Sequence, residues 1–342
     1  MKRIYTLFLS LVCFTAVCSF GQTVSNVDAY QEGKNIIITY DTDKAGSVGD
    51  VFCSTDGGRT WGAPLKQVCG DVNKQVPAGS HRIVWDVLSE REKLAGENIC
   101  FKVEVNSVRF TVDGARFTVN SVSFEMVRVE GGTFRMGATS EQKDEAWDGE
   151  KPVHSVTLSS YYIGKTEVTQ ALWQAVMGSN PSYFKGSDRP VEWVSWDDCQ
   201  EFIQKLNRLT GRNFRLPTEA EWEFACRGGN NSRGYKYSGS NVIDDVAWYL
   251  GNSGLKAYPV ATKAPNELGI YDMSGNVWEW CNDRYADYPA ISQTKPTGPQ
   301  SGSYRVYRGG SCLMPPRCCR SSIRIDSDPS FRFIDLGLRL AL

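Results

Sequence analysis

The sequence predicts an α+β protein of two domains, in which a small all-β sandwich precedes a larger domain with much irregular structure. The chain has 342 residues, which is long enough for two domains. Over 22–107, short runs of β-forming residues recur between Gly, Asp, Asn and Pro, which is the spacing of a sandwich. Over 124–342, three capped helical patterns stand among turn-rich segments, which is typical of a mixed domain.

The first domain, 22–107, has the strand spacing of an Ig-like sandwich. One stretch inside it, STDGGRTW at 54–61, resembles the Asp-box hairpin of sialidase-type propellers, in which Asp and Thr hold a tight turn. A single copy predicts a structural turn and not a propeller. The predicted strands of this domain are 35–40, 50–54, 65–69, 82–87 and 99–105.

The segment 108–123 is predicted to link the two domains. It contains a small repeat, because RFTVD at 109–113 recurs as RFTVN at 116–120. The alternation of apolar and polar residues in each copy favours two short strands.

Start and stop signals place three helices in the second domain. Each pattern begins at a Thr or Ser that can cap its first turn, and each ends at a Gly. The third begins with a capping box, in which Thr218 and Glu221 can satisfy each other's backbone donors. The caps and stops pair as Thr169 with Gly178, Ser195 with Gly211, and Thr218 with Gly228.

The charge and histidine content exclude several classes of function. The chain has 38 Lys and Arg against 39 Asp and Glu, so its net charge of -1 gives no electrostatic case for a nucleic acid or an anionic membrane as partner. The only histidines, His81 and His154, fall in different predicted domains. That separation argues against a His-rich metal site and against a Ser-His-Asp triad.

Residues 1–21 are typical of a secretory signal peptide. Lys2 and Arg3 are followed by an apolar run, and small residues precede a cut after Gly21. We therefore expect an exported mature chain that is periplasmic, displayed at the cell surface or secreted. A lipid tether at Cys18 would be its only connection to a membrane.

Nine of the eleven cysteines remain after removal of Cys13 and Cys18 with the signal. An odd number in an exported protein predicts at least one free thiol or an intermolecular bond. Within the first domain we expect one disulfide and one free thiol among Cys53, Cys69 and Cys100.

The segment from 307 to 342 combines features of a loop and of a core. It opens with a Gly309-Gly310 turn and closes with an apolar strand, 336–342, and the apolar residues between them fit neither a helical nor a strand period. Facing water, they would form an apolar patch with a polar rim, which marks a binding site; facing inward, they would be core. The predicted ligand-binding residues are Cys312, Leu313, Met314, Pro315, Arg317, Cys318, Ile323, Ile325, Asp326, Asp328, Phe331, Phe333, Ile334 and Asp335.

Six ordered motifs in the second domain carry a family resemblance. Together they closely resemble the formylglycine-generating enzyme, or sulfatase-modifying factor, family, whose domain is a variant of the C-type-lectin fold. The resemblance covers about 125–342 and implies the same fold for this domain. The motifs are GGTFRMG at 131–137, YIGKTEVT at 162–169, PVEWVSW at 190–196, RLPTEAEWE at 215–223, NELGIYDMSGNVWEW at 266–280 and RGGS at 308–311.

The resemblance implies an activity only if the family's thiols are present. Active members oxidise a sulfatase Cys, in a Cys-x-Pro-x-Arg context, with copper and oxygen, and use thiols three and eight residues after the Ser of Arg-Gly-Gly-Ser. Those positions are Met314 and Cys319 here. Cys319 is the candidate catalytic residue, but a thioether cannot replace the partner thiol in a bis-thiolate copper site. Cys312 and Cys318 lie nearby, each out of register.

The resemblance also implies calcium, held through the Gly-Asn-x-Trp-Glu-Trp loop. The side-chain oxygen of Asn276, the carbonyl of Val277 and the carboxylate of Glu279 are hard oxygen ligands close in sequence. The alternative is that Asn276 holds a turn and Glu279 makes a local hydrogen bond.

The end of the chain also resembles the variable proteins of diversity-generating retroelements. In those proteins Arg-Gly-Gly-Ser, a variable run and Gly-x-Arg-Leu follow in order, as 308–311, 312–336 and 337–340 do here. Such elements mutate adenines, chiefly in Asn codons, which cannot yield Lys, Glu, Gln, Trp or Met. Over 312–336 none of these occurs except Met314.

Three functions remain open from the sequence. The first is an exported, non-catalytic protein that binds or displays an unidentified protein or glycan ligand through its C-terminal loop. The second is a copper-dependent formylglycine-generating oxidase. The third is a structural component of a surface complex, in which the β domain would dock.

Overall fold

A computed structural model describes residues 24–43, 46–90, 94, 98–105, 115–142 and 145–342. The predicted signal peptide, the last two residues of the predicted first domain and the first part of the predicted linker, 108–114, lie outside the described residues. None of the described helices is long and apolar enough to span a bilayer. The chain groups into two compact units, whose main parts are the residues up to 108 and the residues from 121 onward.

The first unit is a β-sandwich. One sheet has the order β1-β2-β6-β4 and the other the order β5-β3-β7. Ile38 and Trp85 of the first sheet and Val51 and Val103 of the second share one buried core, as expected for two sheets packed face to face. The elements are β1 (Val24–Glu32), β2 (Asn35–Thr42), β3 (Gly46–Ser54), β4 (Val68–Gly70), β5 (Lys74–Val76), β6 (Gly79–Trp85), α1 (Val87–Glu90) and β7 (Cys100–Val105).

The cysteines of the first unit do not form the predicted disulfide. Cys53 pairs with Phe101 and Ser54 with Cys100 in the β3–β7 register, so Cys53 and Cys100 are one position apart and point to opposite faces. Cys69 is exposed on β4 of the other sheet, and all three are thiols in the structure. The sequence order of the cysteines did not reveal this placement on different faces.

The Asp-box stretch forms the tight turn predicted for it. The Asp56 carboxylate accepts hydrogen bonds from the Thr60 backbone N–H at 3.0 Å and from the Thr60 hydroxyl at 2.6 Å. It also accepts from the Ser54 hydroxyl at 2.7 Å. These bonds lower the pKa of Asp56, which is the behaviour of a carboxylate that holds a turn.

The second unit mixes short sheets, helices and long irregular connections. Its sheets have the orders β12-β9-β8, β10-β11-β14 and β16-β15-β13-β17. The elements are β8 (Ala115–Val119), β9 (Val122–Val129), β10 (Thr133–Met136), β11 (His154–Thr157), β12 (Tyr161–Gly164), α2 (Gln170–Met177), α3 (Trp196–Thr210), α4 (Glu219–Cys226), α5 (Ile243–Val246), β13 (Trp278–Arg284), β14 (Gln293–Thr294), β15 (Arg305–Arg308), β16 (Arg324–Ser327) and β17 (Leu336–Leu338).

The three predicted helices are confirmed with their caps. The Thr169 side chain accepts from the Leu172 N–H, and Gly178 ends α2 with φ of 79°. Thr218 and Glu221 form the reciprocal capping box of α4. These side chains satisfy backbone donors that a helix end cannot satisfy by itself.

The second half of the predicted linker belongs to a sheet. Strand β8 follows β9 in the order β12-β9-β8, and Phe117 is fully buried. Its ring stacks on Phe124 with centroids 5.3 Å apart and meets Phe214 edge-on at 5.0 Å. The linker predicted over 108–123 is therefore too long at its C-terminal end, because buried aromatic contacts fix 115–123 in place.

Candidate functional site

The C-terminal loop is anchored at its start by a buried arginine. The guanidinium of Arg308, at the end of β15, donates to the carbonyls of Ser322 at 2.8 Å and Ile323 at 2.7 Å, and it pairs with Glu223 of α4. All of the Arg308 side chain is buried. Because the same guanidinium holds both ends of the run from 308 to 323, this stretch is fixed against the helix.

A second buried arginine anchors the end of the loop. Arg339 donates to Glu279 of β13 at 2.6 Å and to the carbonyls of Gly164 and Tyr271 at 2.8 Å each. The Trp222 indole N–H also donates to Glu279, at 2.7 Å. The loop thus lies between two frames that are held by charge-assisted hydrogen bonds inside the domain.

Five of the predicted ligand-binding and catalytic positions lie inside this frame. These residues are at most 6% exposed, so they cannot line an open surface, and the four of them that were predicted to bind ligand are removed from that set, while the fifth, Cys319, was the catalytic candidate. The Asp335 carboxylate is occupied by the Ser311 hydroxyl at 2.6 Å. The buried positions are Cys312, Cys318, Cys319, Ile323 and Asp335.

The aromatic positions of the loop face water. Phe331 is 54% exposed and Phe333 is 41% exposed, and their ring centroids are 5.9 Å apart. Between them, Arg332 makes a two-point ion pair with Asp198 of α3 at 2.6 and 2.7 Å. The Phe333 carbonyl accepts from the Trp193 N–H at 2.9 Å. The two rings therefore stand on a backbone that is braced from both sides.

The remaining predicted positions form two arms with different neighbours. In the second arm, Ile325 of the edge strand β16 lies opposite Tyr307 of β15. In the first arm, Leu313 packs against the buried cluster that contains Cys312, and the Met314 carbonyl accepts from the Leu250 N–H at 3.0 Å. The exposed and half-buried positions are Leu313, Met314, Pro315 and Arg317 in the first arm, and Ile325, Asp326, Asp328, Phe331, Phe333 and Ile334 in the second.

Two aromatic residues extend this surface and were not in the predicted set. Trp193 is 44% exposed and has φ of 63°, a backbone conformation that non-glycine residues seldom adopt. The ring of Tyr307 meets Trp278 and Trp280 edge-on at 5.2 and 5.4 Å, and burial raises the pKa of Tyr307 to about 12. Trp193 lies in the PVEWVSW motif among apolar residues. Its exposure is seen only in the structure, because the sequence pattern does not distinguish it from the tryptophans of the core.

The thiol chemistry expected of an oxidase does not fit this arrangement. Cys319 is fully buried in a cluster with Tyr237 and Val246, and burial raises the pKa of its thiol far above the ordinary range. Burial also raises the pKa of Cys318. Copper binding requires thiolates, and Met314 cannot supply one. In this structure Cys319 is a buried residue of this apolar cluster.

The predicted calcium trio does not fit a calcium ion either. The Asn276 side-chain oxygen accepts from the Tyr258 N–H at 2.9 Å, and its amide donates to Glu167 at 2.7 Å. The Glu279 carboxylate already accepts hydrogen bonds from Arg339 and Trp222. Of the three predicted calcium ligands, only the Val277 carbonyl is then left. Calcium requires several free oxygens that face one point. Among the described residues, no group of three His, Cys, Asp or Glu side chains is arranged to hold a metal.

Comparison with known proteins gives a family match over two thirds of the chain. The model of the sulfatase-modifying factor enzyme 1-like domain matches residues 116–342. Among relatives, the "Chaperone protein LppX" of Paenibacillus barcinonensis is 35% identical over 270 residues, covering 64% of this chain and 90% of that protein. The formylglycine-generating enzyme of Streptomyces coelicolor is 29% identical over 287 residues, covering 63% of this chain and 88% of that protein.

Solved structures give the same result. "Treponema denticola variable protein 1" superposes with a TM-score of 0.61 at 36% identity, covering 68% of this chain and 99% of that one. PvdO from Pseudomonas aeruginosa superposes with a TM-score of 0.57 at 27% identity, covering 68% and 98%. The predicted α+β, lectin-like fold of the second domain is confirmed by these neighbours.

Proposed function

Because this chain belongs to the sulfatase-modifying factor family, and its tail lacks a usable pair of thiols, we propose that it is an exported, non-catalytic binding protein. The C-terminal loop contacts the ligand, which is a protein or a glycan. The observation that carries the proposal is the exposure of Phe331 and Phe333 on a braced backbone. Exposed aromatic rings that keep one geometry lose little entropy on binding, which favours affinity.

The chemistry of the surface supports a protein or glycan ligand. Trp193 and Phe333 supply flat apolar faces, while Asp326 and Asp328 are half-buried acceptors close to Phe333 in the chain. A mixture of apolar faces and a few polar groups is typical of a specific binding site. The similarity to a relative named as a chaperone and to one named as a variable protein also favours binding over oxidation.

We further propose that the exposed loop positions are diversified, as in the retroelement variable proteins. This is supported by the 36% identity to a variable protein and by the absence of Lys, Glu, Gln and Trp over 312–336. Reading the DNA beside the gene tests this directly. We expect a near-copy of the segment that encodes the loop, differing at adenines, together with a reverse transcriptase gene. A fixed neighbourhood without such a copy would reject diversification and leave the binding function to be tested alone.

Replacing both exposed rings, as Phe331→Ala with Phe333→Ala, is expected to remove ligand binding while leaving the fold intact. The free energy of unfolding in urea should change by less than about 1 kcal/mol, because surface substitutions have small effects. The buried control is Phe224→Ala, which should cost about 3–5 kcal/mol. Binding is measured on glycan and protein arrays with wild type and double variant side by side. Equal array binding by the double variant, or a stability loss as large as that of the control, would contradict the proposed surface.

An assay for formylglycine formation separates binding from oxidation. We expect no conversion of the Cys in a Cys-x-Pro-x-Arg peptide by the copper-loaded protein under oxygen, as followed by mass spectrometry. The reason is that Cys319 is buried and Met314 has no acidic proton. Conversion by wild type that is abolished in Cys319→Ser would restore the oxidase function.

A further inference from the structure

A cavity of about 480 Å³ lies apart from the exposed loop positions, between the end of β13 and the start of α4. Its wall includes Asp283 and Tyr288, the proline-rich turn at 296–299 and the side chain of Arg324. The Arg324 side chain is buried and makes a two-point ion pair with Glu219, at 2.7 Å for each bond. The cavity therefore reaches the buried charges of the domain.

The buried charges near this cavity do not balance. Glu223 pairs with Arg308 and with Arg227, and Arg227 also pairs with Glu141 at 2.6 Å. Glu219 pairs with Arg324 and lies 3.6 Å from Arg308. Asp283 lies beside Glu219, so the network of directly paired groups together with Asp283 comprises four carboxylates and three guanidinium groups, with Arg305 farther from Asp283. Its acids are Glu141, Glu219, Glu223 and Asp283, and its bases are Arg227, Arg308 and Arg324.

Asp283 is the acid of this network that makes no direct ion pair among the described residues, although the charges of Arg305 and Arg324 act on it from farther away. Its Oδ2 accepts from the Glu219 backbone N–H at 3.0 Å, at the first residue of α4. No donor within the described part of the chain reaches its other oxygen, Oδ1, and Asp283 lines the cavity. Its residue is 4% exposed, and a buried carboxylate without a partner is costly to keep ionised.

The backbone of Gly298 packs closely against Asp283. Gly298 has φ of 74°, and a Cβ there would lie 2.8 Å from the Asp283 Cβ and 3.2 Å from Oδ1. A side chain at this position would therefore crowd the Asp283 carboxylate. Burial and the charge of Glu219 raise the pKa of Asp283 to about 8, so a proton neutralises it near neutral pH when no cation does.

We propose that this cavity binds a small ligand with one ammonium or guanidinium group, which donates to Asp283 Oδ1 and supplies the missing positive charge. Arg284 and Lys295 line the same cavity and are more exposed than Asp283, as is Asp287. Because two cations stand nearer the solvent, a ligand whose far end is anionic fits better than a diamine. The site is independent of the C-terminal surface, so either can exist without the other.

The test is an NMR titration of the full chain, following the backbone amides of Asp283 and Gly298. The probes are ethylammonium chloride, 4-aminobutanoate, 1,4-diaminobutane, propionamide and potassium chloride, at one ionic strength. We expect saturable shifts with ethylammonium and tighter binding of 4-aminobutanoate. The uncharged amide should cause no saturable shift. Shifts with potassium chloride equal to those with ethylammonium would overturn the proposal, since they would show a response to ionic strength or to any monovalent ion.

Two variants identify the oxygen that binds. Asp283→Asn keeps the acceptor for the Glu219 N–H but removes the charge, and we expect at least tenfold weaker binding of ethylammonium. Gly298→Ala keeps the charge but fills the space beside Oδ1, so it should weaken binding as well. Asp188→Asn, at an exposed position outside both sites, is the control and should bind as wild type does. Unchanged binding in Asp283→Asn would reject the site, and if that variant fails to fold, unchanged binding in Gly298→Ala would do the same.

Discussion

Replacing Arg339 by Met is expected to lower the free energy of unfolding by about 3–5 kcal/mol, because it leaves a buried carboxylate without its counterion. The Arg339 guanidinium is fully buried and is shared by Glu279, Glu167 and Asp272. Even with Arg339 in place, burial raises the pKa of Asp272 to about 6 and raises that of Glu167 strongly. Urea unfolding at pH 7, with tryptophan fluorescence as the signal, measures the loss.

The matched control for this variant is Arg332→Met. Arg332 also makes a two-point pair with a carboxylate, that of Asp198, but 45% of its side chain is exposed. Exposed pairs contribute about 0–1 kcal/mol, so the control should cost no more than that. If both variants lost the same small amount, the buried pair would not hold the end of the loop, and the frame described above would be wrong.

Replacing Asp283 by Asn is expected to stabilise the fold at alkaline pH and to remove part of its pH dependence. In the folded chain, burial and the charge of Glu219 raise the pKa of Asp283 to about 8 from its ordinary value of 3.8. The folded state therefore binds the proton more tightly than the unfolded state. This contribution to stability is present below pH 4 and is lost as the pH rises to about 8. At about 1.4 kcal/mol per pKa unit, the loss is on the order of 5 kcal/mol.

The measurement is the difference in unfolding free energy between Asp283→Asn and wild type from pH 5 to pH 9. This difference should grow in favour of the variant up to about pH 8 and then stay constant. The charged groups that act on Asp283 are Glu219 and Glu221 of α4, Arg324 of β16 and Arg305 of β15, and all four remain in the variant. Asp287→Asn, at an exposed position, should follow the wild-type curve. A constant difference across the whole range would show that Asp283 does not titrate in this window.

The parts of the fold that sequence reasoning predicted are those with local causes. Helix α2 begins at Thr169 and ends at Gly178 because a side-chain cap and a left-handed glycine act within one turn. The early start of the second domain was missed for the opposite reason. Phe117 is fixed by Phe214, almost a hundred residues away, and no local pattern announces that contact.

The charged framework of the candidate site could not be predicted for the same reason. In sequence, Arg308, Arg320 and Arg324 look like the basic rim of an exposed loop. Each is buried, because its carboxylate partner comes from a distant segment: Glu150 for Arg320 and Glu219 for Arg324. The same effect divides the apolar positions of the loop, so that some face the core and others face water without any period.

Arg339, the buried arginine that anchors the end of the loop, follows the loop in the chain. This order determines which loop variants can fold. The exposed loop is translated before β17 and before Arg339, and both are needed to complete the sheet and to neutralise Glu279. A stop codon or frameshift introduced within the loop would remove them, and the product would expose its core and be degraded. Only variants whose reading frame is intact could fold. Truncated or frameshifted proteins would therefore be lost before they could bind a ligand.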